Sequence, residues 1–406
     1  MRTPLLALAV LLAPAAAAQQ STVFTPYVTP YLPLSAEAQA VAEACAFGPT
    51  ADPLRMLDNP AVLAGFADGV TVSGELSPRW LGYDDTSSAA VSIAAGVRGT
   101  LAGRPASIGV GVAVGTFSVP PFTGVFAPEG PTSDAQGPGR VDFDPGLDRT
   151  VALGGGGAVE GPVHVRAGAS VRRLTSGALY GTVGDDDRAR ATVADLGLDV
   201  TLPVGRWLQP AGARGARFDV ELTAGYALRG LGLADSAPTY DPLSAFGVTP
   251  SGAVQRTPSA GIRLLTAVEL DAGTPRAYRV VALEVLTGAE DPGAQFWGLS
   301  AANVLLGAGD ESDQVLTRQA VRLSLAETVT LSLGAMRGGS VVPRESSGVT
   351  LSVGGALRGI GRLADNALPA RLGERFDLRY TYARYTFGNN SFEPSPAHGV
   401  VLQVRP

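Results

Sequence analysis

The sequence contains no lysine, one cysteine and two histidines among its 406 residues, so all 31 basic residues are arginine. A lone Cys45 excludes an intrachain disulfide, and we expect it to fill a small apolar position in the interior. The formal net charge of −6 gives no electrostatic support for nucleic-acid binding. These absences exclude a disulfide scaffold and disfavour a nucleic-acid partner.

Long apolar runs are also scarce, and the clearest one lies at the N-terminus. Arg2 precedes the apolar stretch from Leu5 to Leu12, and Ala16 to Ala18 form a small-residue cleavage site before Gln19. No later run approaches the ~18–20 apolar residues of a membrane-spanning helix. We therefore expect residues 1–18 to be a cleaved signal peptide and any membrane crossing to be made by strands.

Motifs for catalysis and for metal binding are few. His164 and His398 fall in different predicted strands, no G-x-S-x-G elbow is present, and we expect two ordinary lumen or rim histidines. Gly154 to Gly157 has no following lysine of a phosphate loop. Asp185 to Asp187 could bind a divalent cation at a loop tip, but a solvated charge run is favoured. The sequence predicts no enzyme activity, no metal and no cofactor.

The N-terminal part of the mature chain differs from the rest. Residues 19–34 are rich in Thr, Pro and Tyr and predict an extended arm. Ser35 offers an N-cap for a helix that would run to about Phe47, before Gly48 and Pro49. A weak helix of this length requires packing against another element.

Asn59-Pro60-Ala61 follows this helix. Proline fixes its own φ, restricts Asn59 to an extended backbone and removes one hydrogen-bond donor. Taken alone, the tripeptide fits an ordinary turn. Between a small-residue helix and a long series of strands, it predicts a plug-to-barrel element, with residues 19–68 as the arm and plug (hatch) and residues 69–406 as the barrel.

From Gly69 onward the apolar residues recur with period two, as in β-strands. Val163, Val165 and Val171, for example, alternate with Arg166 and Arg172. About fourteen strands of ~9–14 residues are predicted, a length that suits tilted membrane strands. They are 69–81, 88–100, 106–117, 149–160, 163–174, 191–202, 217–228, 257–270, 277–287, 318–326, 328–337, 347–358, 373–386 and 398–405.

The connections support this count. Mostly short links alternate with long polar ones at 118–148, 175–190, 229–256 and 288–317, as in barrels with tight turns at one end and large loops at the other. Two of the links at the short-turn end, 203–216 and 359–372, are longer than expected. Residues 295–306 fit a loop helix or a fifteenth strand, and an even count favours the helix. The predicted fold is an all-β, transmembrane antiparallel barrel of about 14 strands with a small N-terminal helical plug.

The sense of the faces follows from charge. An arginine facing lipid at the bilayer midplane costs ~2–4 kcal/mol, whereas a polar lumen accepts it. The polar face is therefore predicted to line the lumen, either as an interior ion-pair ladder that anchors a plug or as a polar path for substrate. Its candidate residues are His164, Arg166, Arg172, Asp195, Asp199, Asp219, Glu221, Arg263, Glu269, Arg322 and Glu327.

Three short segments resemble the FadL-like outer-membrane superfamily, and its PorV/PorQ-like branch most. They are Ala44 to Gly48, Asp58 to Ala64, and the ending formed by Phe376 to Tyr382 and His398 to Leu402. The ending departs from many outer-membrane barrels because Val404-Arg405-Pro406 offers no terminal aromatic residue. The resemblance implies a hatch inside the barrel and a role in hydrophobic-solute uptake or in type IX secretion.

Two functions and one alternative fold therefore stay open. The first function is a gated channel for hydrophobic solutes in the outer membrane of a Gram-negative-type bacterium. The second is a secretion-associated barrel whose external loops dock secretion-system proteins. The alternative is a soluble, secreted β-protein with a structural or binding role. Outer-membrane lipid is an expected partner of both barrels, and nucleic acid is a partner of none.

Overall fold

The structure is a computed structural model that describes residues 35–42, 47–78, 87–119, 122–126, 139–143, 146–176, 189–208, 216–236, 257–270, 277–290, 316–337, 344–387 and 394–406. The predicted signal peptide, the extended arm, Cys45, the Asp185 to Asp187 run and residues 295–306 lie outside this part of the chain. So does much of each long loop.

Fourteen antiparallel strands close into one barrel, and two short strands form a separate hairpin. The hairpin lies within the predicted loop 118–148. In chain order the strands are β1 (Gly69–Ser77), β2 (Ser87–Leu101), β3 (Arg104–Val119), β4 (Phe122–Phe126), β5 (Gly139–Phe143), β6 (Gly146–Val159), β7 (His164–Ser176), β8 (Ala189–Leu202), β9 (Ala216–Ser236), β10 (Thr257–Leu270), β11 (Tyr278–Glu290), β12 (Leu316–Leu325), β13 (Val329–Arg337), β14 (Arg344–Ser352), β15 (Phe376–Phe387) and β16 (Ser395–Val404).

The barrel is closed by its first and last strands. Strand β1 pairs with β2 on one side and with β16 on the other, where Val70 lies opposite Val404. Every other barrel strand pairs with its two neighbours, with β3 paired directly to β6. The fourteen-stranded all-β barrel predicted from the sequence is confirmed.

The two ends of the barrel differ in their connections. The end where the chain enters at Gly69 and leaves after Val404, here named the turn end, carries the tight links Ala102–Gly103 and 326–328. Ala102 and Gly103 have φ values of +50° and +78°, as in the two-residue turns that suit twisted hairpins. The opposite end is named the loop end.

Among the described residues, four short α-helices lie outside the strands: α1 (Ala36–Gln39), α2 (Val204–Leu208), α3 (Val353–Leu363) and α4 (Ala367–Arg375). Two 3-10 helices, Pro53–Leu57 and Pro60–Phe66, precede β1. In the part of the chain that the structure describes, no helix is long and apolar enough to cross a membrane.

Three sequence predictions about helices and strand ends were wrong. The helix after Ser35 ends at Gln39 instead of near Phe47, and Ala42 has a left-handed φ of +48° that cannot continue it. The predicted strand 347–358 stops at Ser352, whose side chain accepts a hydrogen bond from Gly355 N and caps α3. The predicted strand 373–386 begins at Phe376, after α4.

The two faces of the barrel wall are chemically distinct. On β1, Val70, Val72 and Leu76 are exposed on the outer face, while Thr71 and Ser73 are buried on the inner face. The same alternation recurs around the barrel. Other exposed outward side chains include Val91, Ile93, Ile108, Val110, Val112, Val114, Val151, Leu153, Val171, Leu264, Leu283, Val321, Leu333, Leu351 and Val400.

Candidate functional site: the occupied lumen

The inside of the barrel is occupied by the segment that precedes β1. Its described parts, residues 35–42 and 47–66, are named here the lumen segment. Helix α1 contacts β14, β15 and β16, the first 3-10 helix contacts β1 to β3, and the second contacts β1 to β3 and β6 to β8. Most of the segment is buried, so it packs against opposite sides of the wall at once.

Asn59 begins the second 3-10 helix. Its Oδ1 accepts a 3.0 Å hydrogen bond from Ala61 N, and Pro60 occupies the first helical position, where no N–H is needed. The nitrogen of the same side-chain amide points toward the wall, where Nδ2 donates a 2.8 Å hydrogen bond to Asp199 Oδ1 on β8. The tripeptide thus both starts a helix and contacts the wall.

Glycines of the wall make room for this helix. A Cβ at Gly156 would lie 3.0 Å from Ala64 N, and one at Gly168 would collide with the carbonyl of Pro60. A Cβ at Gly197 would collide with the Asn59 side chain. The inward glycines therefore allow the backbone of the lumen segment to approach the strands closely.

Asp199 is the point where several of these contacts meet. It is fully buried and accepts a 3.0 Å hydrogen bond from Gly48 N at Oδ2. Arg166 Nε lies 3.8 Å from the same oxygen. One carboxylate of the wall therefore holds two separate parts of the lumen segment, at Gly48 and at Asn59.

A second buried ion pair joins wall strands. Arg172 Nη2 donates a 2.9 Å hydrogen bond to Asp195 Oδ1, and its Nε lies 2.5 Å from Oδ2. Gly230 N also donates to Asp195 Oδ1, at 2.9 Å. Gly230 has a φ of +77° and lies where the β8–β9 register shifts, so this carboxylate stabilises a β-bulge.

Toward the loop end, five charges form a chain between the lumen segment and the wall. Arg55 Nε lies 3.1 Å from Asp58 Oδ2, and Arg229 Nη1 lies 3.9 Å from Asp58 Oδ1. Arg229 Nη2 is 2.7 Å from Glu290 Oε2, whose other oxygen lies 3.0 Å from Arg318 Nη2. Alternating signs let each charge of the chain contact an opposite one.

Glu37 of α1 forms a third link to the wall. Its Oε1 lies 3.0 Å from Arg322 Nη2 on β12, and its Oε2 accepts a 2.8 Å hydrogen bond from Thr50. Arg322 also approaches Glu284, which binds Arg263 through two hydrogen bonds of 3.1 and 3.0 Å. The lumen segment is thereby included in a network that crosses β10, β11 and β12.

A carboxylate of β1 holds the start of α1. Glu75 Oε2 accepts a 3.0 Å hydrogen bond from Ala36 N, an N–H that has no partner inside the helix. Beside it, Asp52 accepts a hydrogen bond from the Ser35 hydroxyl and one of 2.9 Å from Leu54 N. These contacts fix the fold of the lumen segment next to the strand that follows it.

Two carboxyl groups of the lumen segment, Glu37 and Asp52, have opposite pKa shifts. Burial raises the pKa of Asp52, and the nearby negative charge of Glu37 raises it further. Burial also acts to raise the pKa of Glu37, but Arg322 and Arg55 outweigh it and the pKa is lowered. Glu37 is therefore held as an anion, whereas Asp52 is biased toward its neutral form.

One side of the lumen segment is apolar instead. The second 3-10 helix and its neighbour pack buried side chains against small residues of β2, β3 and β6. This cluster consists of Leu54, Met56, Leu57, Val62, Leu63, Phe66, Ala90, Ala94, Ala113 and Ala152. The segment is thus held by dispersion and apolar burial on one side and by charges on the other.

The remaining candidate residues lie nearer the turn end. Asp219 is buried and lies 3.6 Å from Arg279 of the wall, while Glu221 and His164 are half-buried on the inner face. Glu269 is half-buried beside a register shift of β10. Arg263 and Arg322 belong to the network with Glu37.

One lumen candidate differs from its prediction. Glu327 lies in the turn between β12 and β13, with a φ of +49°, where it contacts Arg358. The second histidine, His398, lies on the outer face of β16, with its Nδ1 2.8 Å from the Tyr380 hydroxyl. It alternates with the buried Ala397 and Gly399.

Sequence reasoning missed several charges that hold the lumen segment. Glu284 alternates with the outward Leu283 and Val285, so period two alone could have found it. Arg229 and Glu290 were missed because the predicted strands ended at 228 and 287. The real strands continue to Ser236 and Glu290.

Comparisons with known proteins find matches among solved structures but not among family models or curated proteins. The toluene transporter TbuX of Ralstonia pickettii is 12% identical, with 92% of this chain and 97% of that chain covered and a TM-score of 0.40. The toluene transporter TodX of Pseudomonas putida is 10% identical, with 90% and 96% covered and a TM-score of 0.36.

The β-domain of the Bordetella autotransporter BrkA is 11% identical, with 84% of this chain and all of that chain covered and a TM-score of 0.36. Proteins of different function thus match at similar levels. The architecture follows from the strand pairing of the chain itself, and the matches do not identify its function.

Proposed function

We propose that this protein is an outer-membrane barrel whose lumen segment acts as a plug and controls the passage of hydrophobic solutes. The plug comprises residues 19–68 and the barrel residues 69–406, after export by a cleaved signal peptide of residues 1–18. The observation that carries the proposal is the occupied lumen. Its occupant is held by Asp199, Arg229 and Arg322, which contact it through side chains that could exchange partners without unfolding the wall.

The outer face supports the membrane part of the proposal. Apolar side chains such as Val91, Val110, Leu153 and Leu333 are exposed around the barrel. Contiguous exposed apolar surfaces of this extent are rare in soluble monomers, whereas a lipid-facing band requires them. A soluble secreted protein would have to cover this band with a partner.

The apolar side of the lumen segment supports the class of solute. Where the segment covers β2, β3 and β6, the wall beneath it presents Ala90, Ala94, Ala113 and Ala152. If the segment moves away from these strands, a small hydrophobic molecule meets an apolar wall there. A charged solute would instead favour the side lined by Arg229 and Glu290.

A reversible lock tests the gate. Ala40 of the segment and Ala383 of β15 belong to one buried cluster of alanines. We expect Ala40→Cys with Ala383→Cys, in a Cys45→Ser background, to form a disulfide that suppresses uptake of a small aromatic hydrocarbon into vesicles. Reduction should restore uptake to the level of either single-cysteine variant.

Equal uptake by the oxidised and reduced double variant would contradict gating by this segment. The secretion-associated role that the resemblance implies predicts that result, together with capture of secretion-system proteins from native membranes. Heat-dependent gel mobility before and after oxidation checks that the barrel itself is folded in both states.

A further inference from the structure

The link between β14 and β15 at the turn end is a hairpin of two amphipathic helices, α3 and α4. Ser352 caps α3, and Asn366 caps α4 by accepting a 3.0 Å hydrogen bond from Leu368 N. The hairpin is therefore an ordered element with its own start signals. It is named here the rim hairpin.

The rim hairpin contacts the barrel through small and charged residues. A Cβ at Gly354 would meet the Asp377 carboxylate, and one at Gly355 would collide with the Glu327 carbonyl. A Cβ at Gly373 of α4 would collide with the Gly354 carbonyl. Arg358 donates to Glu327 Oε2 through Nε, at 2.9 Å, and to the Gly373 carbonyl, at 3.1 Å.

The opposite side of the rim hairpin is apolar and exposed. Leu363 is 91% exposed, Leu368 65%, Ile360 55% and Leu372 50%. A helix bathed in water buries its leucines and exposes its charges. This hairpin does the reverse, because its glycines and Arg358 face the protein while its leucines face away from it.

The apolar side of the hairpin continues the outer face of the barrel. Leu351 at the end of β14 and Val353 at the start of α3 are both exposed in line with the alternation of that strand. Ile360 follows Val353 by seven residues and so lies on the same side of α3. After α4, the exposed Phe376 and Leu378 resume the outer face on β15.

Charge on α4 indicates what the apolar side meets. Arg371 and Arg375 are exposed and lie beside Leu368 and Leu372 on one side of the helix. Leucines with arginines at their border are typical of helices that lie in a membrane interface, where the charges reach lipid phosphates.

We propose that the rim hairpin lies flat in the headgroup region of the leaflet at the turn end, with its leucines among the acyl chains and Arg371 and Arg375 on lipid phosphates. This inference rests on the membrane barrel of the proposed function. It adds a lipid-binding element beyond the strands, which fixes the depth of the turn end in the bilayer.

Nitroxide labels on single cysteines test the proposal, since Cys45→Ser removes the native thiol. Leu363→Cys and Leu368→Cys are labelled in the full chain, in vesicles of phosphatidylethanolamine and phosphatidylglycerol. Both labels should be relaxed more strongly by oxygen than by a water-soluble nickel chelate. Glu374→Cys is exposed on α4 but points away from Leu368 and Leu372, so its label should show the opposite preference.

Leu351→Cys on the outer face separates the possible failures. If Leu351 is lipid-accessible while Leu363 and Leu368 are water-accessible, the rim hairpin inference is overturned and the membrane barrel stands. If all three are water-accessible, the barrel is not in the bilayer as proposed. If the leucines of the rim hairpin bind a protein instead of lipid, vesicles without that protein should leave Leu351 lipid-accessible and Leu363 and Leu368 water-accessible.

The arginines have a test of their own. Arg371→Glu with Arg375→Glu should move the Leu368 label toward water in vesicles with phosphatidylglycerol, whereas Arg337→Glu, in β13 near the loop end, should not. An unchanged depth of the Leu368 label in the double variant would contradict the role of these two arginines.

Discussion

Asn59 and Asp199 are joined by a 2.8 Å hydrogen bond although 140 residues separate them in the chain. Both are fully buried. The contact links the only Asn-Pro-Ala of the sequence to an inward carboxylate of β8. Substitution of Asp199 is therefore the most direct test of how the wall holds the lumen segment.

Asp199→Asn should loosen the lumen segment. The variant keeps the shape of the side chain but loses the charge that faces Arg166 and accepts from Gly48 N and Asn59, so we expect a loss of about 1–3 kcal/mol. The measurements are urea unfolding in detergent and protease cleavage within residues 35–66. Asp219→Asn is the matched control, because Asp219 pairs with Arg279 of the wall. Equal cleavage in both variants would contradict the prediction.

Gly168→Ala should displace the second 3-10 helix without unfolding the barrel. Its Cβ would occupy the position of the Pro60 carbonyl, and backbone cannot yield as a flexible side chain does. Gly155→Ala is the control, since its Cβ would lie 3.6 Å from Gly109 O, an ordinary contact. We expect increased solute uptake and unchanged heat-dependent gel mobility for Gly168→Ala only. Increased uptake from both variants would show that any alanine in the glycine-rich wall has this effect.

Glu37→Gln should weaken the hold on α1 in a pH-dependent way. Because Arg322 and Arg55 lower the folded-state pKa of Glu37 against its burial, its stabilisation is fully present above the unfolded pKa. That stabilisation is lost as the pH falls through the lowered folded pKa. The wild type should exceed the variant in unfolding free energy at neutral pH, and the two should converge in acid. A constant difference across the pH range would argue against the charge as the cause.

Asp52→Asn should have the opposite pH dependence. Burial and Glu37 raise the folded-state pKa of Asp52, so ionisation destabilises the folded protein as the pH rises through the window between the unfolded and folded pKa values. The asparagine can still accept from Leu54 N. We expect the variant to gain in unfolding free energy relative to the wild type toward neutral pH, and to lose that gain in acid. A loss at neutral pH would contradict the prediction.

Val112→Arg should test the lipid-facing band. Val112 is exposed near the middle of β3, where an outward arginine costs ~2–4 kcal/mol at the midplane of a bilayer. Leu101→Arg, beside the tight turn of Ala102, should cost ~0–1 kcal/mol because it lies at the interface. The measurement is unfolding from lipid vesicles. Equal, small effects of both variants would exclude a membrane position for β3.

Much of the barrel was predictable because successive side chains of a strand point to opposite faces, so apolar and polar residues alternate along the sequence. The strand number followed from this alternation and from the lengths of the connections. The partners of the lumen charges were not predictable, since Arg229 and Asp58 meet only after 14 strands have closed. The rim hairpin was missed because Ser352 to Gly354 continues the alternation of β14 even though the chain turns into a helix there.

The join between the lumen segment and the barrel sets how far the segment can travel. Ala67 and Asp68 alone connect it to Gly69, whose φ of +134° and contact with the Val404 carbonyl leave no room for a side chain. The segment is therefore tethered at the seam where β1 meets β16. Any release from the wall must be a swing about this rim, which keeps the segment beside the opening and lets it return.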